Sequence, residues 1–289
     1  MLISIFTPSY NRAHLLKRLY DSLLNQKLKN FEWIIVDDGS VDNTAEVVNA
    51  FIVENKIPVT YYKKENGGKH RAINKGVQLA KGELFFIVDS DDYLTDNATA
   101  LINDYYFLIK NREDLAGVSF RRGESNTKYI GTQKTFVDFE ATALEFRYKC
   151  KMKGDMAEVF KTKILKQYPF PEIMGEKFCT EGLIWSRIAL KYKLLWTSKI
   201  IYIGEYLQGG LTDNSYSSRK KAPEYAALFY SEHTKMPISL KQKIRAAINY
   251  WRFVRFSNKP LNYKLKQIHP FLSIVAIPFS LIFLFKDVK

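Results

Sequence analysis

The stretch LFFIVDSDD, residues 84–92, is the feature around which the rest of the chain is organised. Its apolar part, residues 84–88, is short and bounded by Gly82 and by acidic residues, which predicts a strand buried on both faces. Three carboxylates follow within four residues, at Asp89, Asp91 and Asp92. Like charges this close repel one another unless a cation lies among them or solvent separates them. The stretch therefore predicts either a cation site or an acidic turn at the end of a buried strand.

Strand-like and helix-like segments alternate in front of this strand. Short apolar runs at 2–6, 31–36 and 59–62 predict strands, and the amphipathic segments between them predict helices. Such alternation is typical of an α/β fold with a mostly parallel central sheet and helices on both faces. The chain has 289 residues, of which 46% are hydrophobic, and this is enough for a sizeable core.

Polar clusters follow all four predicted strands, at residues 8–11, 37–40, 66–71 and 89–92. Ligands of parallel α/β sheets bind beyond the carboxyl ends of the strands, so we expect these clusters to form one site. The first cluster lacks the G-x-G-x-x-G turn of dinucleotide-binding proteins, and the chain has no P-loop motif. Carboxylates holding Mg²⁺ or Mn²⁺ are the remaining means of binding a phosphate-bearing ligand here.

The second half of the chain is less regular. Helices are predicted at 97–110 and 180–192, and strands at 115–121, 155–162 and 194–203. These elements are expected to complete the sheet and cover the site. A segment with Glu205 and glycines at 209–212 then predicts either a mobile lid or a plain loop.

The C-terminal tail carries much of the net charge of +14. Between Lys235 and His269 there are nine Lys or Arg residues and no acidic residue, and residues 270–285 then carry no charge. This apolar run is short for a membrane span, which needs about twenty residues. The tail therefore predicts either an anchor on an anionic membrane surface or a basic helical extension that packs on the protein's own core. No nucleic-acid-binding motif accompanies the charge, so a nucleic-acid partner is not expected.

Four motifs in this order and spacing carry a resemblance to a known family: TPSYN at 7–11, VDDGS at 36–40, NGGKHRAINKG at 66–76 and DSDD at 89–92. The chain resembles the family 2 glycosyltransferases of the GT-A fold over roughly residues 1–210. The resemblance implies a nucleotide-sugar donor, usually a UDP-sugar, and transfer of a hexosyl or N-acetylhexosaminyl group with inversion at the anomeric carbon. It also implies a nucleotide-sugar-binding half at 1–92 and an acceptor-binding half at 93–214. The change in composition predicts a third part at 215–289, a C-terminal helical extension that is a candidate membrane-surface anchor.

The resemblance also implies roles for individual residues. The nucleotide base is expected to contact Pro8, Tyr10 and Asp38, and the nucleotide or its diphosphate to approach Lys69 and Arg71. In the acidic cluster, Asp89 is expected to face the ribose or donor side, Asp91 to bind Mn²⁺ or Mg²⁺, and Asp92 to support the loop or touch the sugar.

A general base must remove the proton of the acceptor hydroxyl as that oxygen attacks the donor. Glu181 lies where the family carries its base carboxylate, although the family often has a Glu-Asp pair there and this chain has Glu181-Gly182. Asp155 is the alternative base or an acceptor contact. Glu176 is expected to be only a surface residue.

These features predict an inverting, metal-dependent glycosyltransferase that acts on a glycan or lipid-linked acceptor in cell-surface polysaccharide biosynthesis. The alternatives are a nucleotidyltransferase and a non-catalytic module that binds nucleotide-sugars or glycans. Met1 leads directly into a strand-like run, which predicts no signal peptide, and the two cysteines are expected to be free thiols. We therefore expect a cytoplasmic enzyme that is peripheral at the inner face of the cell membrane.

Overall fold

A computed structural model describes residues 2–204 and 215–286 of the chain. The chain divides into two compact units: the first comprises Met1–Phe170 and Arg187–Tyr206, and the second comprises Pro171–Ser186 and Leu207–Lys289. The predicted lid or loop at Glu205 and residues 209–212 lies outside the described residues. The functional division at residues 92 and 214 stays a prediction.

The first unit begins with the expected alternation of strands and helices. Its first seven elements are β1 Ile3–Ser9, α1 Ala13–Leu24, β2 Phe31–Asp37, α2 Thr44–Glu54, β3 Val59–Lys63, α3 Lys69–Leu79 and β4 Leu84–Ile87. The less regular part follows with β5 Tyr93–Leu94, α4 Ala98–Ile109, β6 Leu115–Gly123, β7 Phe139–Ala141, α5 Ala143–Tyr148, β8 Met156–Lys161, α6 Thr162–Leu165 and β9 Lys193–Ile203. All four residues of β4 are buried, as the apolar run predicts.

Within the described residues, one sheet of nine strands runs through the first unit in the order β3-β2-β1-β4-β8-β6-β9-β5, with β7 paired to β9. The strands β3, β2, β1 and β4 are parallel to one another. Beyond β4 the sheet becomes mixed, because β8 pairs antiparallel with both β4 and β6, while β6 and β9 are parallel. The expected α/β fold is confirmed, and its parallel part carries the predicted polar clusters.

The two faces of this sheet are covered separately, because successive side chains of a strand point to opposite faces. On one face, α1, α2 and α4 pack against β1, β2 and β4 in one hydrophobic cluster that includes Leu19, Phe51 and Ile102. On the other face, α3 lies so close to β1 that a Cβ atom at Gly76 would come within 2.3 Å of the ring of Phe6. This close approach requires glycine at position 76, and it sets the position of α3 at the edge of the site.

The second unit is helical. It contains α8 Ser215–Lys221, α9 Pro223–Lys235, α10 Leu240–Val254, α11 Leu261–Lys266 and α12 Pro270–Lys286. The helix α7, Gly182–Ile188, starts in this unit and is shorter than the predicted helix at 180–192. Helices α9, α10 and α12 share a hydrophobic cluster that includes Tyr250, Leu272 and Ala276. The predicted packing of the apolar tail is therefore confirmed for one side of α12.

Candidate active site

The four polar clusters at the strand ends meet in a closed ring of contacts within the first unit. Three neighbouring pairs of clusters are joined directly: Asn11 N to Ser40 Oγ at 2.9 Å, Gly67 N to Asp38 Oδ1 at 2.9 Å, and Lys69 Nζ to Asp89 Oδ1 at 2.5 Å. Arg12, the residue that follows the first cluster, closes the ring with Nη1 at 2.8 Å from Asp91 Oδ2. The expectation that these clusters come together at one edge of the sheet is therefore confirmed by the geometry.

The two aspartates that end β2 hold neighbouring loops in place. Asp37 is fully buried and accepts hydrogen bonds from Ser40 N at 2.7 Å and from the Tyr61 hydroxyl at 2.6 Å. Asp38 accepts from three donors on the loop before α3: Lys64 Nζ at 2.7 Å, Gly67 N at 2.9 Å and Gly68 N at 2.7 Å. In this structure Asp38 thus fixes the course of residues 64–68, and its expected contact with a nucleotide base stays a prediction.

The amino-terminal end of α3 forms the positive side of the ring. Gly68 precedes the helix with a φ of 96°, a backbone conformation that favours glycine, and it brings no side chain to cap the first amides. Arg71, in the first turn, donates to the carbonyl of Gly67 at 2.9 Å, and Lys69 pairs with Asp89. A helix amino terminus with two cationic side chains in its first turn is suited to bind an anion.

Asp89 lies between two cations. Lys69 Nζ is 2.5 Å from one carboxylate oxygen, and Arg122 Nη1 is 3.7 Å from the other. Burial favours the neutral acid, yet the charges of Lys69 and Arg122 outweigh it and hold the pKa of Asp89 below its ordinary value. Asp89 is therefore ionised at neutral pH.

Asp92 is held by a tyrosine from β9. The hydroxyl of Tyr202 donates to Asp92 Oδ2 at 2.6 Å and accepts from the backbone N of Asp89 at 3.0 Å. Arg122 stacks over the Tyr202 ring at 4.0 Å and lies 3.8 Å from Asp92. Burial and the nearby charge of Asp89 raise the pKa of Asp92 to about 6, against the opposing effects of Tyr202 and Arg122. The two carboxylates therefore titrate differently although they share one arginine.

Asp91 contacts Arg12, which directly precedes α1, and Arg18 within α1. Its side chain is 23% exposed and one oxygen pairs with Arg12, while its backbone carbonyl accepts from Arg18. Within residues 2–204 and 215–286, no group of three or more His, Cys, Asp or Glu side chains is arranged to hold a metal ion. Mg²⁺ sites commonly use one or two carboxylates together with substrate phosphates, so a single carboxylate with a second oxygen fits such an ion once a diphosphate is present.

The remaining predicted donor residues lie at the same edge. Pro8, at the end of β1, is partly buried, and Tyr10 is 49% exposed just after that strand. An exposed aromatic side chain thus directly precedes Asn11, a member of the ring of contacts. This arrangement is suited to bind a molecule with a flat ring at one end and negative charge at the other.

The comparisons with known proteins agree with this geometry. The family model described as glycosyl transferase family 2 matches residues 4–172, more than half of the chain. The chain belongs to this family. Solved structures support the fold: that of S. aureus TarS 1–349 in complex with UDP-GlcNAc superposes with a TM-score of 0.66 at 20% identity, covering 96% of this chain and 84% of that one. The protein is therefore a family 2 glycosyltransferase with the GT-A fold.

Curated relatives match a shorter part of this glycosyltransferase. The glycosyltransferase GlyG of Streptococcus pneumoniae is 40% identical over 96 residues, which are 33% of this chain and 32% of GlyG. The chondroitin synthase of Pasteurella multocida is 44% identical over 100 residues, which are 35% of this chain and 10% of that enzyme. The chain thus spans less than two thirds of the length of these relatives.

The two candidate bases of this glycosyltransferase lie in different units. Asp155, just before β8, is exposed and lies in the first unit. Burial disfavours the charge of Arg122, but Tyr202, Asp89, Asp155 and Asp92 together hold the Arg122 pKa above its ordinary value. Glu181 directly precedes α7 in the second unit, where its backbone carbonyl accepts from Ile184 N and Trp185 N.

The expectation for Glu176 is wrong. This side chain is buried in the second unit, and its carboxylate accepts from the backbone N of Glu224 at 2.7 Å and of Tyr225 at 2.8 Å. It therefore satisfies the first amides of α9, which begins at Pro223 and has no side chain of its own in that role. A cap supplied from 48 residues away in sequence leaves no local signal.

Four residues of the ring were missed by sequence reasoning. They are Arg12, Lys64, Arg122 and Tyr202, and each pairs with one of the predicted aspartates. Arg12 and Lys64 adjoin predicted clusters, so their proximity in sequence was an available signal. Arg122 and Tyr202 lie on β6 and β9, and only the pairing of those two strands brings them to the acidic cluster.

Proposed function

We propose that this family 2 glycosyltransferase moves a sugar from a UDP-sugar to a hydroxyl group of a glycan or lipid-linked acceptor, with inversion at the anomeric carbon and with help from Mn²⁺ or Mg²⁺. The observation that carries the proposal is the closed ring at the strand ends. It joins an uncapped helix terminus with two cations to three aspartates at one edge of a parallel sheet, and an exposed tyrosine directly precedes its member Asn11 in the chain.

The positive part of the ring supports binding of a diphosphate. Lys69 and Arg71 lie in the first turn of α3, where the helix dipole also favours negative charge. Lys69 is paired with Asp89. We infer that a bound diphosphate shares Lys69 with Asp89, and that Asp89 is thereby kept on the ribose side of the donor.

The opposite part of the ring supports binding of the nucleoside. Tyr10 offers an exposed aromatic face beside Pro8, and aromatic faces stack well on flat heterocycles. Both carboxylate oxygens of Asp38 accept hydrogen bonds from the loop before α3. In this proposal Asp38 has two roles: it shapes residues 64–68, and a remaining lone pair of its carboxylate contacts the base.

Asp91 is the residue proposed to hold the divalent ion. When bound, such an ion supplies Lewis-acid neutralisation of the charge that builds on the leaving diphosphate. Binding requires Asp91 to turn one oxygen from Arg12 toward the ion, and the 23% exposure of its side chain leaves room for that change. Asp92, fixed by Tyr202, is proposed to hold the turn in which Asp91 lies.

A carboxylate must take the proton from the acceptor hydroxyl on the face opposite the leaving group. We propose Glu181 for this role, with Asp155 as the alternative. Asp155 is supported by its negative charge, which helps to raise the pKa of Arg122 beside the acidic cluster. Glu181 is supported by the family resemblance alone, since the family match ends at residue 172.

The proposed acceptor belongs to a cell-surface polysaccharide or its lipid-linked precursor. A relative with 44% identity over 100 residues is a chondroitin synthase, which supports a polysaccharide product. We also propose a cytoplasmic location at the inner face of the cell membrane. No helix within the described ranges is long and apolar enough to cross a membrane.

A thermal-shift series on the full chain tests the proposal. UDP and UDP-sugars are expected to raise the melting temperature, more so with Mn²⁺ than without it, because stabilisation grows with the ratio of ligand concentration to dissociation constant. GDP and GDP-sugars at equal concentration serve as the control for base selectivity. No shift with any nucleotide-sugar contradicts the proposal, and release of pyrophosphate instead of UDP during turnover favours nucleotidyl transfer.

A further inference from the structure

The second unit exposes large apolar side chains along α11 and α12. We call this set the α11–α12 surface, and its members are between 42% and 72% exposed: Leu261, Tyr263, Leu265, Phe271, Ile274, Phe279, Leu281 and Ile282. Apolar side chains scattered singly over a surface are ordinary. Eight within 22 residues of chain, on two successive helices, indicate a surface that is covered by something in the working protein.

The two sides of α12 have different environments. Leu272 and Ala276 are buried against α10, and Ser280, four residues further on, is also buried. Phe271, Ile274, Leu281 and Ile282 recur at the spacing that places them away from that side of the helix. A helix that is apolar all around is normally buried all around, but the protein covers only one side of α12. The side of α12 that faces α10 is thus buried within the protein, whereas burial of the opposite side requires a separate apolar partner.

Basic residues accompany the exposed side chains. Lys259, just before α11, and Lys266, its last residue, are both exposed. The whole segment from Lys235 to His269 has nine basic residues and no acidic one. Lysine side chains can lay their apolar stems along an apolar surface while the ammonium group reaches outward. An occupant that is apolar inside and negatively charged at its surface therefore matches both properties of the α11–α12 surface.

We propose that the α11–α12 surface binds an anionic lipid bilayer, with α12 lying in the plane of the interface rather than across it. This inference deepens the peripheral membrane location in the proposed function and rests on it. Phe271, Ile274 and Leu281 enter the boundary between head groups and acyl chains, while Lys259 and Lys266 meet the anionic head groups. A second copy of the chain is a poorer occupant, because pairing through this surface brings two basic segments together without acidic partners.

Flotation of the full chain with vesicles tests this inference. Vesicles of phosphatidylcholine mixed with phosphatidylglycerol are compared with vesicles of phosphatidylcholine alone. The double variant Phe271→Ser/Ile274→Ser is expected to weaken binding to the anionic vesicles by about tenfold or more, because it removes two inserted apolar side chains. Lys259→Gln and Lys266→Gln are each expected to weaken binding by about fivefold, and the effect should disappear at high salt.

Two control variants test whether an exposed apolar side chain or a positive charge elsewhere on the protein also affects vesicle binding. Val53→Ser removes a side chain that is 84% exposed in the first unit, and Lys27→Gln removes an exposed positive charge there. Neither is expected to change vesicle binding. Thermal unfolding of every variant confirms that the fold is retained.

The inference is overturned if the wild-type chain binds no vesicles, or if the surface variants bind vesicles as well as the control variants do. It is also overturned if vesicle binding is absent and Ile274→Ser abolishes a concentration-dependent dimer, because the surface then binds a second copy of the chain. The UDP-dependent thermal shift is measured on the same samples. Absence of vesicle binding together with a normal UDP-dependent thermal shift contradicts only the inference about the α11–α12 surface. Vesicle binding without any thermal shift from nucleotides contradicts the proposed transfer activity but not the binding of this surface to a bilayer.

Discussion

The hydroxyl of Tyr202 donates to Asp92 Oδ2 at 2.6 Å while it accepts from the backbone N of Asp89 at 3.0 Å. One buried side chain from β9 thus fixes both ends of the turn that carries Asp91. Tyr202→Phe removes both hydrogen bonds and leaves a buried amide and carboxylate with one partner fewer. We expect a loss of about 1–3 kcal/mol in the free energy of unfolding and a clear drop in kcat at saturating donor. Urea unfolding and UDP-release assays measure the two effects.

Tyr105→Phe is the matched control for that substitution. The Tyr105 hydroxyl is also buried and also makes two hydrogen bonds, here with the side chains of Asp138 at 2.6 Å and Thr197 at 3.0 Å. We expect a comparable loss of stability with little change in kcat. Equal catalytic losses in the two tyrosine variants would mean that Tyr202 acts only through global stability.

Tyr202 is an example of a site residue that was not predictable from the sequence, although much of the surrounding fold was. The parallel half of the sheet and its polar clusters were predictable, because β1, β2 and β4 are short apolar runs that end in polar residues. Tyr202 and Arg122 were not, since the antiparallel insertion of β8 between β4 and β6 decides which residues of the second half reach Asp89. Pairings of this kind depend on contacts far apart in sequence, and neither residue type has a motif around it.

Asp38→Asn is expected to weaken UDP binding by loosening the loop before α3. An amide keeps only one acceptor oxygen, so it is unable to accept from Lys64, Gly67 N and Gly68 N in the present arrangement. Hydrogen exchange should accelerate at the amides of Gly67 and Gly68, and calorimetry should show weaker UDP binding. Weaker binding with unchanged exchange at these two amides would instead indicate that Asp38 acts solely through direct contact with the base.

Asp91→Asn is expected to abolish the effect of Mn²⁺ on UDP binding. A neutral amide oxygen is a weaker ligand for a hard divalent ion than a carboxylate. The control is Asp21→Asn, which removes another ion-paired and partly exposed aspartate, 2.5 Å from Lys17, at a distance from the acidic cluster in sequence. Thermal shifts with UDP, with and without Mn²⁺, measure the effect. An undiminished Mn²⁺ response in Asp91→Asn contradicts the assignment of the metal ligand.

Glu181→Gln is expected to keep UDP binding and to lose transfer by about 100-fold or more, because a general base typically contributes 10²–10⁴-fold. Asp155→Asn is the parallel variant, and each serves as the control for the other. Turnover with a glycan acceptor and UDP titration are measured on both. If Asp155→Asn alone shows this combination, the base is Asp155, and if neither variant loses transfer, both assignments fail.

Asp92→Asn is expected to change how stability depends on pH. The pKa of Asp92 is raised from 3.8 to about 6 by burial and by the charge of Asp89, so the folded state holds this proton more tightly than the unfolded state does. The protonated carboxyl group of Asp92 therefore contributes fully to the free energy of unfolding below pH 3.8, and this contribution is lost as the pH rises through about 6. The wild-type chain should lose at most about 3 kcal/mol relative to Asp92→Asn over this interval. Urea unfolding at several pH values measures the difference, and parallel pH curves for the two proteins would show that Asp92 does not titrate in this range.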